Sequence, residues 1–141
     1  MGFLGRIEKI LLVRSLFREA ERRDWQAVSK EAHAYLPQRL SVLASRYGFS
    51  YNRVAIKHNR SNWGSCSSKR NINLNMSLML LPAELRDYVM LHELCHLRAL
   101  NHGAEFHRLL DGLCQSHLGR SERSLRSEIR RYHAYSGVKF R

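Results

Sequence analysis

The clearest pattern in the chain is a two-residue alternation in "NINLNMSLML" (71–80). Apolar side chains occupy every second position from Ile72 to Leu80, and polar ones fill the positions between them up to Ser77. A period of two predicts a β-strand with one face on the core. "RVAIKH" (53–58) and "SNWGSC" (61–66) precede it, and "SSKR" (67–70) has the composition of a turn. The pattern predicts a small antiparallel sheet of about three strands.

Helical spacing of apolar residues marks the rest of the chain. Asp24 is a suitable N-cap for a helix that starts at Trp25, Pro37 is expected to break that helix in two, and Gly48 to end it. Pro82 suits the first turn of a later helix. The predicted helices cover residues 4–22, 25–47 in two pieces, 83–100, 104–119 and 121–135. Helices and a small sheet together predict an α+β fold.

The length of 141 residues predicts one domain over 1–141 with a core of its own. The formal net charge is +12, and only residues 92–119, with 2 basic and 3 acidic groups, are not basic. A basic surface attracts polyanions such as nucleic acid, although it can also serve solubility alone.

The sequence shows neither a membrane segment nor an export signal. No apolar run reaches the roughly 18 residues that a membrane helix needs. With no secretory signal visible, the three cysteines are expected to be reduced thiols in a cytoplasmic protein that does not bind membranes.

The candidate chemistry lies in "MLHELCHLRALNHGAEFH" (90–107), which holds four of the eight histidines. Positions four apart on a helix share a face, so His92 and His96 can reach one zinc ion together. Glu93, at the edge of that face, can reach an activated water instead of the metal. This H-E-x-x-H arrangement is typical of zinc-dependent peptidases. The alternative is a helix whose histidines are merely solvated.

A catalytic zinc site needs a third protein ligand. His102 can supply it only if the helix ends and the chain turns back, and Gly103 is expected to provide that bend because glycine accepts left-handed dihedrals. Glu105 and His107 are the alternative third ligands. Glu93 would then act as the general base and pass the proton to the leaving amine.

Substrate contacts are predicted on the strand before this helix. If residues 71–75 border the cleft, an extended peptide can pair with a free sheet edge there. Trp63, Asn73 and Asn75 are the candidate substrate-binding residues. The alternatives are a core tryptophan and solvated asparagines, and Gly64 would allow close backbone approach.

The blocks "NWGSCSSKRNINLNMSLMLLP" and "YVMLHELCHLRALNHGAEF", in this order, resemble the YgjP-like metallopeptidase family, which is related to WLM and SprT-like zinc metalloproteases. The resemblance covers about residues 33–113, leaving 1–32 as a helical extension and 120–141 as a basic C-terminal helix. It implies a zincin-like fold, with helices on a small antiparallel sheet and the metal at the H-E-x-x-H helix. It also implies His102 as third ligand and Glu93 as general base.

The sequence therefore predicts a zinc-dependent metallopeptidase that acts on proteins or peptides. One alternative is a metal-dependent phosphohydrolase acting on nucleotides, although no Gly-rich phosphate loop is visible. Another is a nucleic-acid-associated protease like the SprT-like relatives. The pattern does not predict an oligomeric state.

Overall fold

A computed structural model describes residues 2–22 and 25–136 of the chain, so the predicted N-cap Asp24 and the end of the basic C-terminal segment lie outside these ranges. The described chain forms five α-helices, three strands and one 3-10 helix. In chain order they are α1 (Phe3–Arg22), α2 (Trp25–Tyr47), β1 (Arg53–Lys57), β2 (Gly64–Cys66), β3 (Asn71–Asn75), the 3-10 helix (Met76–Leu80), α3 (Ala83–Cys95), α4 (Ala104–Leu118) and α5 (Glu122–Ser136).

The sheet is mixed, so the prediction of an antiparallel sheet was wrong in one of its two pairings. The strand order is β1-β3-β2. β2 and β3 form the expected antiparallel hairpin, but β1 pairs parallel to β3, with Arg53 opposite Asn71. Because the loop after β1 and the hairpin each reverse the chain, β3 returns in the direction of β1 and inserts between the other two strands. β2 is consequently an edge strand.

β3 is only half as long as the alternation predicted. The side chain of Asn75 accepts a hydrogen bond from the backbone N–H of Ser77 and so caps the 3-10 helix that follows. Its amide nitrogen donates to the carbonyls of Asn59 and Asn62. After Asn75 the alternation is lost, and Met76, Ser77 and Leu78 are buried in succession.

Helix α2 runs through Pro37 without a break, contrary to the prediction. Leu36 and Leu40 are fully buried on either side of the proline, so packing holds both halves in one helix despite the missing donor. The helix ends as predicted before Gly48, which has a φ of +74°.

Helix α3 occupies the centre of the core. Every residue from Asp87 to His96 is buried, which confirms the prediction of a central H-E-x-x-H helix. α3 ends at Cys95, about five residues earlier than predicted. α5 covers the core with Leu125, Ile129 and Tyr132, as its pattern predicted.

None of the helices within residues 2–22 and 25–136 combines the length and the apolar character needed to cross a membrane.

A buried carboxylate ties α3 to its neighbours. Arg39 of α2 donates two hydrogen bonds to Asp87, at 3.0 and 2.7 Å. His117 Nε2 of α4 lies 2.8 Å from Asp87 Oδ2, and the hydroxyl of Tyr47 lies 2.8 Å from His117 Nδ1. Burial alone would raise the pKa of Asp87, but the hydrogen bonds from Arg39 and His117 outweigh it and leave that pKa lowered. Asp87 therefore joins three helices around the core.

We expect Asp87→Asn to lower the free energy of unfolding by about 2 kcal/mol, because the Arg39 charge loses its buried partner. Glu84 lies on the same helix as Asp87 and is an exposed partner of Arg120. Glu84→Gln should therefore lower the free energy of unfolding by less than about 1 kcal/mol. Urea denaturation at pH 7 measures both. Equal losses in the two variants would contradict a special role for Asp87.

Candidate metal centre

The last turn of α3 carries the first two predicted ligands. His92 lies within the helix and His96 is its C-cap residue, still in a right-handed conformation with a φ of −64°. Both are buried, at 5% and 7% exposure. Their side chains point to one side of the helix end, as positions four apart must.

The chain turns back after His96 and brings His102 onto the same face. His102 Nε2 lies 3.1 Å from His96 Nε2 and 3.2 Å from His92 Nε2. Three imidazole nitrogens bound at 2.0–2.1 Å in a tetrahedral site would lie about 3.3 Å apart. Both distances from His102 are close to that value, and the ligand atoms of all three histidines lie within 4.8 Å of one another, so the residues present fit a zinc-sized ion.

Gly103 contributes to this bend in a different way from the one predicted. Its φ is −79° and its ψ −174°, so it is extended and not left-handed. A Cβ atom there would lie 2.8 Å from Asn101 Oδ1, which accepts a hydrogen bond from the N–H of Gly103. A side chain at position 103 would therefore require the Asn101 side chain to move.

Contacts from neighbouring groups orient the imidazoles. His96 Nδ1 lies 3.0 Å from the carbonyl of Ala99, and since a carbonyl only accepts, Nδ1 carries the proton and Nε2 keeps its lone pair. Phe106, in the first turn of α4, stacks on His96 with ring centroids 4.3 Å apart and also contacts His92 and His102. Sequence reasoning missed Phe106; its position four residues after His102 was the available signal.

The histidines are favoured in their neutral form. Burial lowers the pKa of His92 well below its ordinary value, and the neighbouring His96 and His102 lower it further. Burial also lowers the pKa of His96 and of His102. Neutral imidazole is the form that binds a metal, so the site is prepared for one near neutral pH.

Glu93 lies beside the histidines as a buried carboxyl group. It is 2% exposed, and its Oε1 is 3.9 Å from His92 Nε2. Burial raises its pKa to about 8. Oε2 has no hydrogen-bond partner within the described residues. A buried oxygen without a partner costs free energy, which is typical of a group that is held for chemistry.

Edge strand β2 approaches Glu93 closely at Gly64, where any Cβ atom would be in a tight contact. A Cβ atom on Gly64 would lie 3.0 Å from Glu93 Cγ and 3.0 Å from the carbonyl oxygen of Asn73. The expectation of close backbone approach at Gly64 is confirmed.

His96, His102 and Glu93 line a cleft of about 260 Å³. β2 contributes Gly64, Ser65 and Cys66 to the lining of this cleft. The segment between His96 and His102 contributes the exposed Leu100. The sequence analysis did not identify Ser65, Cys66 or Leu100, because which residues border a cleft depends on the tertiary structure.

The predicted substrate-binding residues do not line this cleft. Trp63 is fully buried, and Asn75 is 1% exposed and engaged with the loop before β2. Asn73 is half-buried and donates to Ser65 Oγ at 3.1 Å, so it reaches the cleft only through that serine. Asn73 therefore contacts β2 and Asn75 the loop before it, whereas Trp63 packs in the core.

The alternative third ligands lie elsewhere. Among the described residues, the group whose ligand atoms lie within 4.8 Å of one another consists of His92, His96 and His102. Glu105 is exposed, and His107 Nδ1 lies 3.6 Å from Glu122 Oε2.

Comparisons with known proteins show a family for this chain and a similar fold. The family model described as "YgjP-like, metallopeptidase domain" matches residues 5–128, a wider span than the resemblance over 33–113. No curated protein matches the chain. A crystal structure of the metallopeptidase zymogen of Pyrococcus abyssi abylysin is similar, with a TM-score of 0.61 and 19% identity. The similarity covers 75% of this chain and 99% of that one, and it confirms the predicted zincin-like fold.

We expect Gly64→Ala to lower the free energy of unfolding by roughly 1–3 kcal/mol, because its Cβ displaces Glu93 or β3. Gly112→Ala is the matched control: its Cβ would meet nothing within 4 Å on helix α4, and it should add roughly 0.5–1 kcal/mol of stability. Thermal and urea unfolding measure both. A Gly64→Ala protein as stable as the parent would contradict the close contact.

We also expect Glu93→Gln to stabilise the metal-free protein increasingly as the pH rises. Unfolding restores the ordinary pKa of Glu93, 4.5, whereas burial holds it at about 8 in the folded chain. The raised pKa therefore lowers the free energy of unfolding by an amount that grows as the pH rises from 4.5 to about 8 and stays constant at higher pH. The difference in Tm between variant and parent in excess chelator should be small at pH 5 and largest near pH 9. A constant difference would show that burial does not shift this carboxyl.

Proposed function

Because this chain belongs to the YgjP-like metallopeptidase family, we propose that it is a zinc-dependent peptidase. His92, His96 and His102 bind the metal, and Glu93 is the general base. The observation that carries the proposal is the convergence of three Nε2 atoms beside a buried carboxyl oxygen that has no hydrogen-bond partner in the described part of the chain. The substrate of a peptidase is a protein or peptide.

Each protein group has a defined part in the reaction. A bound zinc ion would polarise the scissile carbonyl, lower the pKa of an attacking water and favour the carboxylate form of Glu93. Glu93 accepts the proton of that water and later delivers it to the leaving amine nitrogen. The carbonyl of Ala99 keeps His96 in the correct tautomer, and Phe106 excludes water from one side of the imidazoles.

Edge strand β2 is the proposed binding site for the peptide backbone. It pairs with β3 on one side and lines the cleft, so an extended peptide can add to its other side by main-chain hydrogen bonds. We propose that Trp63, Asn73 and Asn75 contribute to substrate binding indirectly, by fixing β2 and Ser65.

The nucleotide phosphohydrolase is the weaker alternative. The residues that line the metal-centre cleft include no lysine or arginine. A triphosphate would bring several negative charges into this cleft without cations to bind them. An uncharged peptide backbone suits this lining better.

We expect Glu93→Gln to retain zinc but to lose at least about 10²-fold in kcat on an unfolded protein substrate, because the general base is absent. His102→Ala should lose both zinc and turnover. His107→Ala and Glu105→Ala are the matched controls and should keep zinc. Metal analysis by mass spectrometry and release of peptides from casein measure the two properties.

Two results would contradict the proposal. Full turnover by Glu93→Gln would remove Glu93 as the base. Stoichiometric zinc in His102→Ala together with its loss in Glu105→Ala would replace His102 as the third ligand.

A further inference from the structure

A second cleft lies between α1 and α5 and shares no lining residue with the metal centre. Its volume is about 310 Å³, and cations from both helices and from the turn before α5 converge on it: Arg6, Lys9, Arg120 and Arg131. Ser124, Ser127 and Glu128 complete the lining. The concentration of positive charge in a concave surface indicates a site for an anion.

The carboxylates near this cleft are already engaged by one of its cations. Arg120 pairs with Glu128 at 2.7 Å and with Glu84 at 3.1 Å, and it also donates to Ser124 Oγ at 2.8 Å. Arg6, Lys9 and Arg131 form no ion pair with a carboxylate of the described residues. Three cations therefore remain available to an external anion.

Two of these cations lie beside apolar surface. Lys9 and Arg131 also border a small apolar cleft lined by Ile10, Val13 and Tyr132. Aliphatic stems that lie along apolar surface lose less conformational freedom when their charged ends bind a ligand.

The positive charge extends beyond the cleft along α5. Arg123, Ser127 and Arg130 lie at helical spacing beside Arg131, and both Arg123 and Arg130 are exposed. From 123 to 131 the helix rises about 12 Å, which is longer than one phosphate group. An extended chain of phosphates fits this surface better than a single small anion.

We propose that the α1–α5 cleft binds the sugar-phosphate backbone of a nucleic acid. Arginine, lysine and serine side chains are the donors that contact phosphate oxygens in such complexes. No aromatic residue is among the described residues that line this cleft, and Tyr132 in the adjoining apolar cleft is buried, so the described lining offers no base stacking and binding is independent of base sequence. The metal-centre cleft lacks lysine and arginine in its lining, so the two sites attract different ligands.

The test measures binding of fluorescent 20-nucleotide oligonucleotides of two unrelated sequences by anisotropy at several salt concentrations. Lys9→Gln/Arg131→Gln should lower affinity about tenfold at 100 mM salt and reduce the salt slope by about 1.5, because two phosphate contacts are lost. Lys30→Gln/Arg53→Gln makes the same change in net charge at exposed positions outside the cleft and should change affinity less than twofold. Lys9→Arg/Arg131→Lys keeps the charge and should bind like the parent.

Several outcomes would overturn the proposal. Equal losses in the two Gln pairs would mean that net charge alone attracts nucleic acid, and failure of the parent to bind would exclude the site. Pyrophosphate that displaces the oligonucleotide at micromolar concentration would indicate a compact phosphate ligand instead. Binding to phosphatidylglycerol vesicles but not to oligonucleotides would assign the surface to lipid headgroups. Peptidase activity is measured in parallel. If the parent shows none, that result contradicts the proposed metal centre and leaves the nucleic-acid proposal unaffected.

Discussion

The burial of helix α3 is the constraint on which the rest of the structure depends. Two carboxyl groups lie inside the core on this one helix, and they are treated differently. Asp87 receives hydrogen bonds from Arg39 and His117, which offset the loss of its hydration and join three helices. Glu93 lies close to His92, and its Oε2 has no comparable partner among residues 2–22 and 25–136. The first carboxyl stabilises the position of the helix, and that position holds the second at a cleft where burial raises its pKa.

The end of α3 matters as much as its burial. If the helix continued to residue 100 as its pattern predicted, His102 would face away from His92 and His96. Because it stops at Cys95, the intervening loop can return His102 to the helix end and can place Phe106 against all three imidazoles. The position of His102 relative to His92 and His96 therefore depends on where helix α3 ends.

Local patterns were predictable, and those that depend on distant contacts were not. The i, i+4 relation of His92 and His96 follows from helix geometry alone, so the sequence located the centre of the site. Strand alternation contains no information on strand direction, and the parallel pairing of β1 with β3 was therefore missed. The end of β3 depends on hydrogen bonds of Asn75 to a loop more than ten residues away. The continuity of α2 through Pro37 likewise depends on tertiary packing.

The three metal-binding candidates lie within eleven consecutive residues, His92 to His102. A segment this short keeps its imidazoles near one another even when the chain is denatured, so the unfolded ensemble retains part of the affinity for a cation. Ligand binding stabilises a protein only by the difference in affinity between its folded and unfolded states. A cation bound at these three histidines would consequently give less thermal protection than its dissociation constant alone implies, and a partly denatured chain would compete with folded ones for scarce metal.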